Sequence, residues 1–77
     1  MYSASWCGVC TRARAFMQAA QISFTERDVD TDATAAQEAR RLNPRGSVPT
    51  FDVGGIPVIG FDPRSLASAM ESAAARQ

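Results

Sequence analysis

The sequence predicts an α/β fold in which a small mixed β-sheet is covered by helices. Three observations support this: short β-rich segments alternate with helix-forming segments, two β-rich segments are joined only by Gly54-Gly55, and a further helix follows them. A strand–helix–strand unit forms a parallel pair through a right-handed crossover, whereas a tight hairpin adds antiparallel strands. The predicted order is strand, helix, strand, helix, strand, strand, helix.

The first half of the chain begins with a strand that is nearly absent, since only residues 1–3 are available for it. Residues 8–20 are helix formers, and their apolar members recur at spacings of three and four. These spacings predict one buried helix face, formed by Val9, Ala13, Phe16, Met17 and Ala20. Residues 22–29 alternate apolar and polar side chains and predict the second strand.

The second half opens with a helix that Thr31 or Asp32 caps and that runs to about residue 42. After a loop at residues 43–46, residues 50–53 and 56–59 predict a hairpin with a primed turn at the two glycines.

The last helix begins at Asp62-Pro63, where aspartate suits the cap and proline suits the first helical position. Its apolar face is predicted to comprise Leu66, Ala69, Met70 and Ala73.

Length and charge limit the function classes. The 77 residues suit one domain, residues 1–77, and eight acidic residues balance eight basic ones. A neutral chain with a pI near 6.1 argues against a nucleic-acid partner. The sequence also contains no run of about 20 apolar residues that could span a membrane. Without a visible signal peptide we expect the cytoplasm, or the periplasm if the chain is cut from an exported parent.

Cys7 and Cys10 are the only cysteines, and the chain has no histidine. A bridge between them closes too short a loop to stabilise the fold appreciably, and zinc needs four ligands, so neither stapling nor a metal site within one chain explains the pair. The pair lies where a strand ends and a helix begins, a position that stabilises a thiolate and lowers thiol pKa values to roughly 3.5–7.5. We therefore predict Cys7 as the attacking thiol and Cys10 as its more buried partner.

Several neighbours complete the predicted site. Gly8 allows the backbone to close tightly around the sulfurs, and Val9 is small enough not to cover them. Arg12 or Arg14 either adds positive potential near the thiolate or belongs to a solvated helix face. Trp6 is either a contact surface for a substrate or reductase, or a partly buried aromatic that orders the loop.

The segment Ser47-Val48-Pro49 is the second feature. Proline suits the first residue of a strand and is the residue that follows most cis peptide bonds. A cis bond here would leave the backbone groups of Val48 free to pair with an extended substrate.

Together these motifs resemble the glutaredoxin and NrdH-type redoxin branch of the thioredoxin superfamily, over almost the whole chain. The resemblance rests on three segments: Trp6-Cys7-Gly8-Val9-Cys10, then Arg45-Gly46-Ser47-Val48-Pro49-Thr50 with Val53-Gly54-Gly55, and finally Gly60-Phe61-Asp62 leading to Leu66. It implies a thioredoxin fold with Pro49 as a cis proline and Val48 holding substrate backbone. It also implies that Gly60, Phe61 and Asp62 line the far side of a substrate groove.

Two departures from the family bear on its partners. In glutaredoxins the groove binds glutathione, whose carboxylate meets a lysine three residues before the first cysteine; that position is Ala4 here, and Arg45 is the candidate replacement. NrdH-type redoxins are instead recharged by thioredoxin reductase. The short first strand is the second departure, since a shortened edge would leave an exposed sheet border that a dimer or a larger parent protein would cover.

The expected function is an enzyme activity: reduction of protein or low-molecular-weight disulfides by a dithiol mechanism. The expected partners are a disulfide-containing protein and either glutathione or thioredoxin reductase, with glutathione as a co-substrate and no bound cofactor. Two alternatives stay open. One is a [2Fe–2S] carrier across a dimer, which Gly8 permits; the other is a redox-sensing or binding domain of a larger protein.

Overall fold

A computed structural model of the chain describes residues 1–76. Its elements, in chain order, are β1 (Tyr2–Ser3), α1 (Gly8–Ala19), β2 (Arg27–Asp28), α2 (Ala33–Leu42), β3 (Thr50–Val53), β4 (Ile56–Ile59) and α3 (Pro63–Ala75). The order agrees with the prediction, and β1 is as short as the sequence indicates.

The four strands form one mixed sheet in the order β2-β1-β3-β4. β1 runs parallel to β2 and antiparallel to β3, and β3 pairs with β4 as a hairpin. β1 therefore lies inside the sheet rather than at its border. The expectation that the shortened first strand leaves an exposed edge is wrong, because both of its sides are occupied by neighbouring strands.

The prediction of a strand over residues 22–29 is also wrong for most of its length, because only Arg27 and Asp28 form a ladder. A strand needs a hydrogen-bonding neighbour, and the parallel neighbour β1 offers only Tyr2 and Ser3. Residues 22–26 have no β1 residue opposite them. Ile22 and Phe24 nevertheless point inward and pack against the core.

Helix α1 buries Cys10, Ala13 and Met17, so the predicted face is shifted toward the cysteine pair. Phe16 is 37% exposed because it lies at the rim, where its ring contacts Phe61 at a centroid distance of 5.5 Å. Ala20 is exposed because the helix ends at Ala19, which leaves Ala20 as the C-cap.

The remaining elements follow the sequence closely. Asp32 caps α2, accepting a hydrogen bond from the backbone N–H of Ala35. Gly54 and Gly55 have φ values of 58° and 93°, the left-handed pair that a primed hairpin turn requires. Asp62 caps α3 and Pro63 opens it, as predicted.

The core is divided by the sheet. On one side, α1 and α3 pack on β3 and β4; the buried residues of this cluster are Ala13, Met17, Phe51, Val58, Leu66 and Ala69, with Met70 half-buried beside them. On the other side, Ala35 and Ala39 of α2 pack on Tyr2. No helix within residues 1–76 combines the length and apolar character needed to cross a bilayer.

Candidate active site

The two cysteines lie at the N-terminus of α1 and are joined as a disulfide, with their Cα atoms 5.2 Å apart. Cys7 is the N-cap of the helix, and its Sγ accepts a hydrogen bond from the backbone N–H of Cys10 at 3.1 Å. A cap position exposes the sulfur of Cys7 to the positive end of the helix dipole. The local geometry therefore favours negative charge on the Cys7 sulfur once the pair is reduced.

Burial separates the two sulfurs in the predicted order. Cys10 is fully buried and Cys7 retains 6% of its surface, so Cys10 is the more buried partner. The difference is small because Ala4, Val9 and Val48 pack around the pair. The prediction that Val9 leaves the sulfurs uncovered is therefore wrong, because its side chain packs against the cysteines. Of the two cysteines, only Cys7 is accessible to an incoming molecule.

The loop before β3 closes the site opposite the cysteines. The Val48–Pro49 peptide bond is cis, as the family resemblance implies. The carbonyl oxygen of Val48 lies 3.7 Å from the Sγ of Cys7. In the oxidised pair this is a contact rather than a hydrogen bond, because a disulfide sulfur carries no hydrogen. Within residues 1–76, the backbone N–H of Val48 has no hydrogen-bond partner.

The segment Gly60-Phe61-Asp62 borders the same loop. The N–H of Gly60 donates to the carbonyl of Pro49 at 2.9 Å, so this segment and the proline loop are held together. Phe61 is half-buried against Phe16, and the Asp62 carboxylate accepts from the backbone N–H of Arg64 at 3.0 Å. Gly60 is thus beside Pro49, whereas Asp62 is engaged in capping α3.

Trp6 stands beside Cys7 with 72% of its surface exposed, so the partial burial expected in the second alternative is wrong, and its role as a contact surface stays a prediction. Its indole N–H donates to Oδ2 of Asp30 at 2.8 Å, across the loop that follows β2. The Asp30 backbone N–H in turn donates to Oδ1 of Asp28 at 2.8 Å. Sequence analysis singled out Trp6 but missed Asp30, whose only signal was membership of an acidic loop.

The three positively charged candidates lie apart from one another. Arg14 pairs with Glu26 through two hydrogen bonds, of 2.7 and 2.5 Å, and lies about 10 Å along the helix from Cys7. Arg14 therefore links α1 to the segment before β2 and does not act on the Cys7 sulfur. Arg12 is exposed on α1, and Arg45 is exposed in the loop before Val48, with no side-chain partner inside residues 1–76.

Ala4 occupies the position where the family resemblance places a lysine. It is 2% exposed and packs against both cysteines, while its carbonyl accepts from the backbone N–H of Cys7 at 3.1 Å. The position is a packing site that presents no charge.

Sequence analysis also missed Asn43, which is 1% exposed behind the proline loop. Its side chain contacts Ser47, Thr50 and the backbone N–H of Arg45 through hydrogen bonds of 2.8–3.2 Å. The sequence signal was slight: an asparagine directly after a helix and before Pro44 is typical of an ordinary helix end.

A cavity of about 610 Å³ opens at the far end of the sheet and does not include either cysteine. Its wall includes Met17, Phe24, Val53 and Met70. The cysteine pair instead faces the molecular surface between Trp6 and the proline loop.

Comparisons with known proteins agree with this geometry. The glutaredoxin family model matches residues 1–58, which include both cysteines and the proline loop. A relative from Clostridium pasteurianum, named an uncharacterized glutaredoxin-like 8.6 kDa protein in the rubredoxin operon, is 24% identical over 71 residues, covering 92% of this chain and 95% of its own.

A solved structure shows the same fold. The crystal structure of a mutant of a thioredoxin-like protein superposes with a TM-score of 0.75 at 28% identity, covering 91% of this chain and 90% of that one. The family model spans well over half of the sequence, and the Cys-x-x-Cys pair lies at the start of the first helix of a thioredoxin fold, so the chain belongs to the glutaredoxin family and has a thiol redox function.

Proposed function

We propose that the protein is a thiol–disulfide oxidoreductase that reduces disulfides through a dithiol cycle. The single observation that carries the proposal is the placement of Cys7 as the cap of α1. Its sulfur accepts the Cys10 N–H and lies 3.7 Å from the Val48 carbonyl, while the Val48 N–H has no partner among residues 1–76. A stabilised thiolate next to an unpaired backbone edge is what attack on an extended disulfide substrate requires.

The cycle uses both cysteines and transfers two electrons. The Cys7 thiolate attacks one sulfur of the substrate disulfide, forming a mixed disulfide and releasing the other substrate sulfur as a thiolate that takes up a proton. The Cys10 thiolate then attacks Sγ of Cys7, which frees the second substrate sulfur and leaves the Cys7–Cys10 disulfide. The structure has the pair in this oxidised state.

The surface around the pair suits a substrate that is itself a folded or extended protein. Trp6 is exposed on one side of Cys7, and the segment that contains Phe61 borders the proline loop on the other. Exposed aromatic side chains contribute large contact areas to protein interfaces. We propose Trp6 and Phe61 as flanking contacts, and Val48 as the backbone partner of the substrate.

We further propose thioredoxin reductase as the electron donor in preference to glutathione. The glutathione carboxylate needs a cation, and the position that would supply it is Ala4, which is buried and uncharged. Arg45 is the exposed cation nearest in sequence to Val48, so it is the residue through which glutathione would bind if the proposal about the donor is wrong.

A coupled NADPH-oxidation assay tests both proposals with a protein disulfide such as insulin as substrate. One series contains thioredoxin reductase and the other contains glutathione with glutathione reductase. We expect turnover in the first series, abolished by Cys7→Ser. Turnover in neither series would contradict the enzyme activity, whereas glutathione-dependent turnover that falls in Arg45→Gln would contradict the choice of donor alone.

The same preparations separate the two alternative functions. A cluster carrier would acquire visible absorbance after anaerobic reconstitution with iron and sulfide, and a sensing domain would cycle its disulfide without turnover. The joined sulfurs of Cys7 and Cys10 are the state in which the dithiol cycle ends, and a sensing domain would share it, so turnover is the measurement that separates these two functions.

A further inference from the structure

We infer that Asn43 is a positioning residue for the substrate-binding loop, holding the Val48 backbone in register with Cys7. The inference rests on the proposed disulfide reduction, because it concerns how a peptide substrate meets Val48. It begins from the position of Asn43, which ends α2 and is 1% exposed.

The amide of Asn43 is surrounded by partners that define its orientation. Its Nδ2 group donates to the carbonyl of Ser47 at 3.2 Å, to the hydroxyl of Ser47 at 2.8 Å and to Oγ1 of Thr50 at 3.2 Å. Its Oδ1 accepts from the backbone N–H of Arg45 at 3.2 Å. A carbonyl can only accept and an N–H can only donate, so a single amide orientation satisfies the cluster.

These contacts hold the proline loop at both of its ends. Ser47 directly precedes Val48, and Thr50 directly follows Pro49. Thr50 adds a second tie, because its hydroxyl donates to the Ser47 carbonyl at 2.8 Å. The two residues between them, Val48 and Pro49, make no hydrogen bond with Asn43, so the amide fixes the ends of a short span and leaves its middle for other contacts.

The span carries the groups that face the active site. The Val48 carbonyl lies 3.7 Å from Sγ of Cys7, and the Pro49 carbonyl accepts the N–H of Gly60 at 2.9 Å. Movement of the Ser47 carbonyl would therefore displace the Val48 backbone relative to both the sulfur and the Gly60 segment. Buried polar networks with every member satisfied hold one backbone arrangement, whereas partly satisfied networks do not.

Asn43→Asp is the sharpest test, because the side chain keeps its size and its acceptor for the Arg45 N–H but loses both donor hydrogens. A substrate that binds through its peptide backbone should suffer, whereas a small disulfide without a peptide group should not. We expect KM for a peptide or protein disulfide to rise about fivefold, in line with a lost buried hydrogen bond. The rate with 2-hydroxyethyl disulfide and the Cys7–Cys10 reduction potential should stay at their wild-type values.

Thr50→Val is a second test variant, and Met17→Ala is the control for stability. Thr50→Val removes the hydroxyl that ties Thr50 to the Ser47 carbonyl and should raise KM in the same direction as Asn43→Asp. Met17→Ala removes a buried side chain from the core cluster of α1 and α3, which does not include Asn43, Ser47 or Val48, and should lower the thermal midpoint while leaving KM unchanged.

The outcomes separate this inference from the proposed function. If wild-type protein reduces peptide disulfides and Asn43→Asp lowers the thermal midpoint with an unchanged KM, Asn43 is only a structural residue and the inference is overturned. If the rates with both substrates fall together in Asn43→Asp, the amide does not act through substrate backbone, which also overturns it. If wild-type protein reduces neither substrate, the proposed function itself fails.

Discussion

At the scale of single residues, the cap position of Cys7 gives the site its chemical asymmetry. One sulfur accepts a backbone N–H and keeps slight access, while the other is fully buried in the first helical turn. Charge at a helix N-terminus is favourable only when it is negative, so the asymmetry assigns attack to Cys7 and resolution to Cys10.

Alkylation rates measure this asymmetry directly. In the Cys10→Ser variant at pH 6, where ordinary thiols are almost entirely protonated, we expect Cys7 to react with iodoacetamide about tenfold faster than free cysteine. In Cys7→Ser, burial should leave Cys10 nearly unreactive. Equal rates in the two variants would show that the helix end does not distinguish the sulfurs.

The hydrogen bond between Trp6 and Asp30 is a second residue-scale feature with a direct readout. Trp6 is the only tryptophan and is mostly exposed, so packing alone does not fix its indole. We expect Asp30→Ala to lower the fluorescence anisotropy of Trp6, because the 2.8 Å tie is lost. Asp52→Ala, which removes an exposed carboxylate in the β3–β4 hairpin, is the control and should leave the anisotropy unchanged.

How far the site could be predicted from sequence depends on whether its signal was local. The cysteine pair, its helix end and Pro49 each have a short-range signature, and the structure places Cys7, Cys10, Val48, Pro49 and Gly60 together. Asn43 and Asp30 have no such signature. Their partners are set by how loops pass one another in the folded chain, which residue type and spacing do not encode.

At the scale of elements, the strand prediction over residues 22–26 was wrong for the same reason: strand formation depends on a neighbour that is distant in sequence. The alternation of Ile22 and Phe24 with polar residues was correctly read as one side facing the core, and both side chains do pack inward. A strand additionally needs a neighbour that extends alongside it, and the parallel ladder with β1 starts only at Tyr2 and Arg27. Helices α2 and α3 were predicted more accurately because their caps, Asp32 and Asp62, are local signals.

The ion pair between α1 and the segment before β2 makes stability depend on acid pH. Hydrogen bonds from Arg14, and then from Ser3, hold the pKa of Glu26 at about 2, below its ordinary 4.5, although burial opposes this shift. A lowered carboxyl pKa stabilises the folded state above about pH 4.5, and that contribution is lost as the pH falls toward 2.

Urea unfolding at pH 7 and pH 3 checks this contribution. Because the pair is partly solvated, we expect Glu26→Gln to lower the free energy of unfolding by about 0.5–1 kcal/mol at pH 7 and by less at pH 3. Arg14→Gln should have a similar pH dependence. A loss that is the same at both pH values would show that the carboxylate charge is not what stabilises the contact.

At the scale of the whole molecule, the two sides of the sheet contribute unequally. The side that carries α1 and α3 holds the larger apolar side chains, whereas α2 packs through Ala35 and Ala39. A chain of 77 residues buries a modest fraction of its surface, so each large buried side chain contributes a large share of total stability.

Phe51 is the residue that most easily tests how much the α1 and α3 side of the core contributes to stability. It is 3% exposed in β3 and lies in the cluster formed with α1 and α3. We expect Phe51→Ala to lower the free energy of unfolding by about 3–5 kcal/mol, because it leaves a cavity in the core. Phe51→Leu should cost clearly less, and a loss below about 1 kcal/mol for the alanine variant in urea unfolding would contradict this view of the core.

The most direct test of the dithiol cycle is to stop it halfway. Incubation of reduced Cys10→Ser protein with a peptide disulfide should accumulate one mixed disulfide, and mass spectrometry of the digest should locate the peptide on Cys7. A mixed disulfide that forms on Cys10 in Cys7→Ser, with none on Cys7 in Cys10→Ser, would contradict the assignment of Cys7 as the attacking thiol and with it the mechanism.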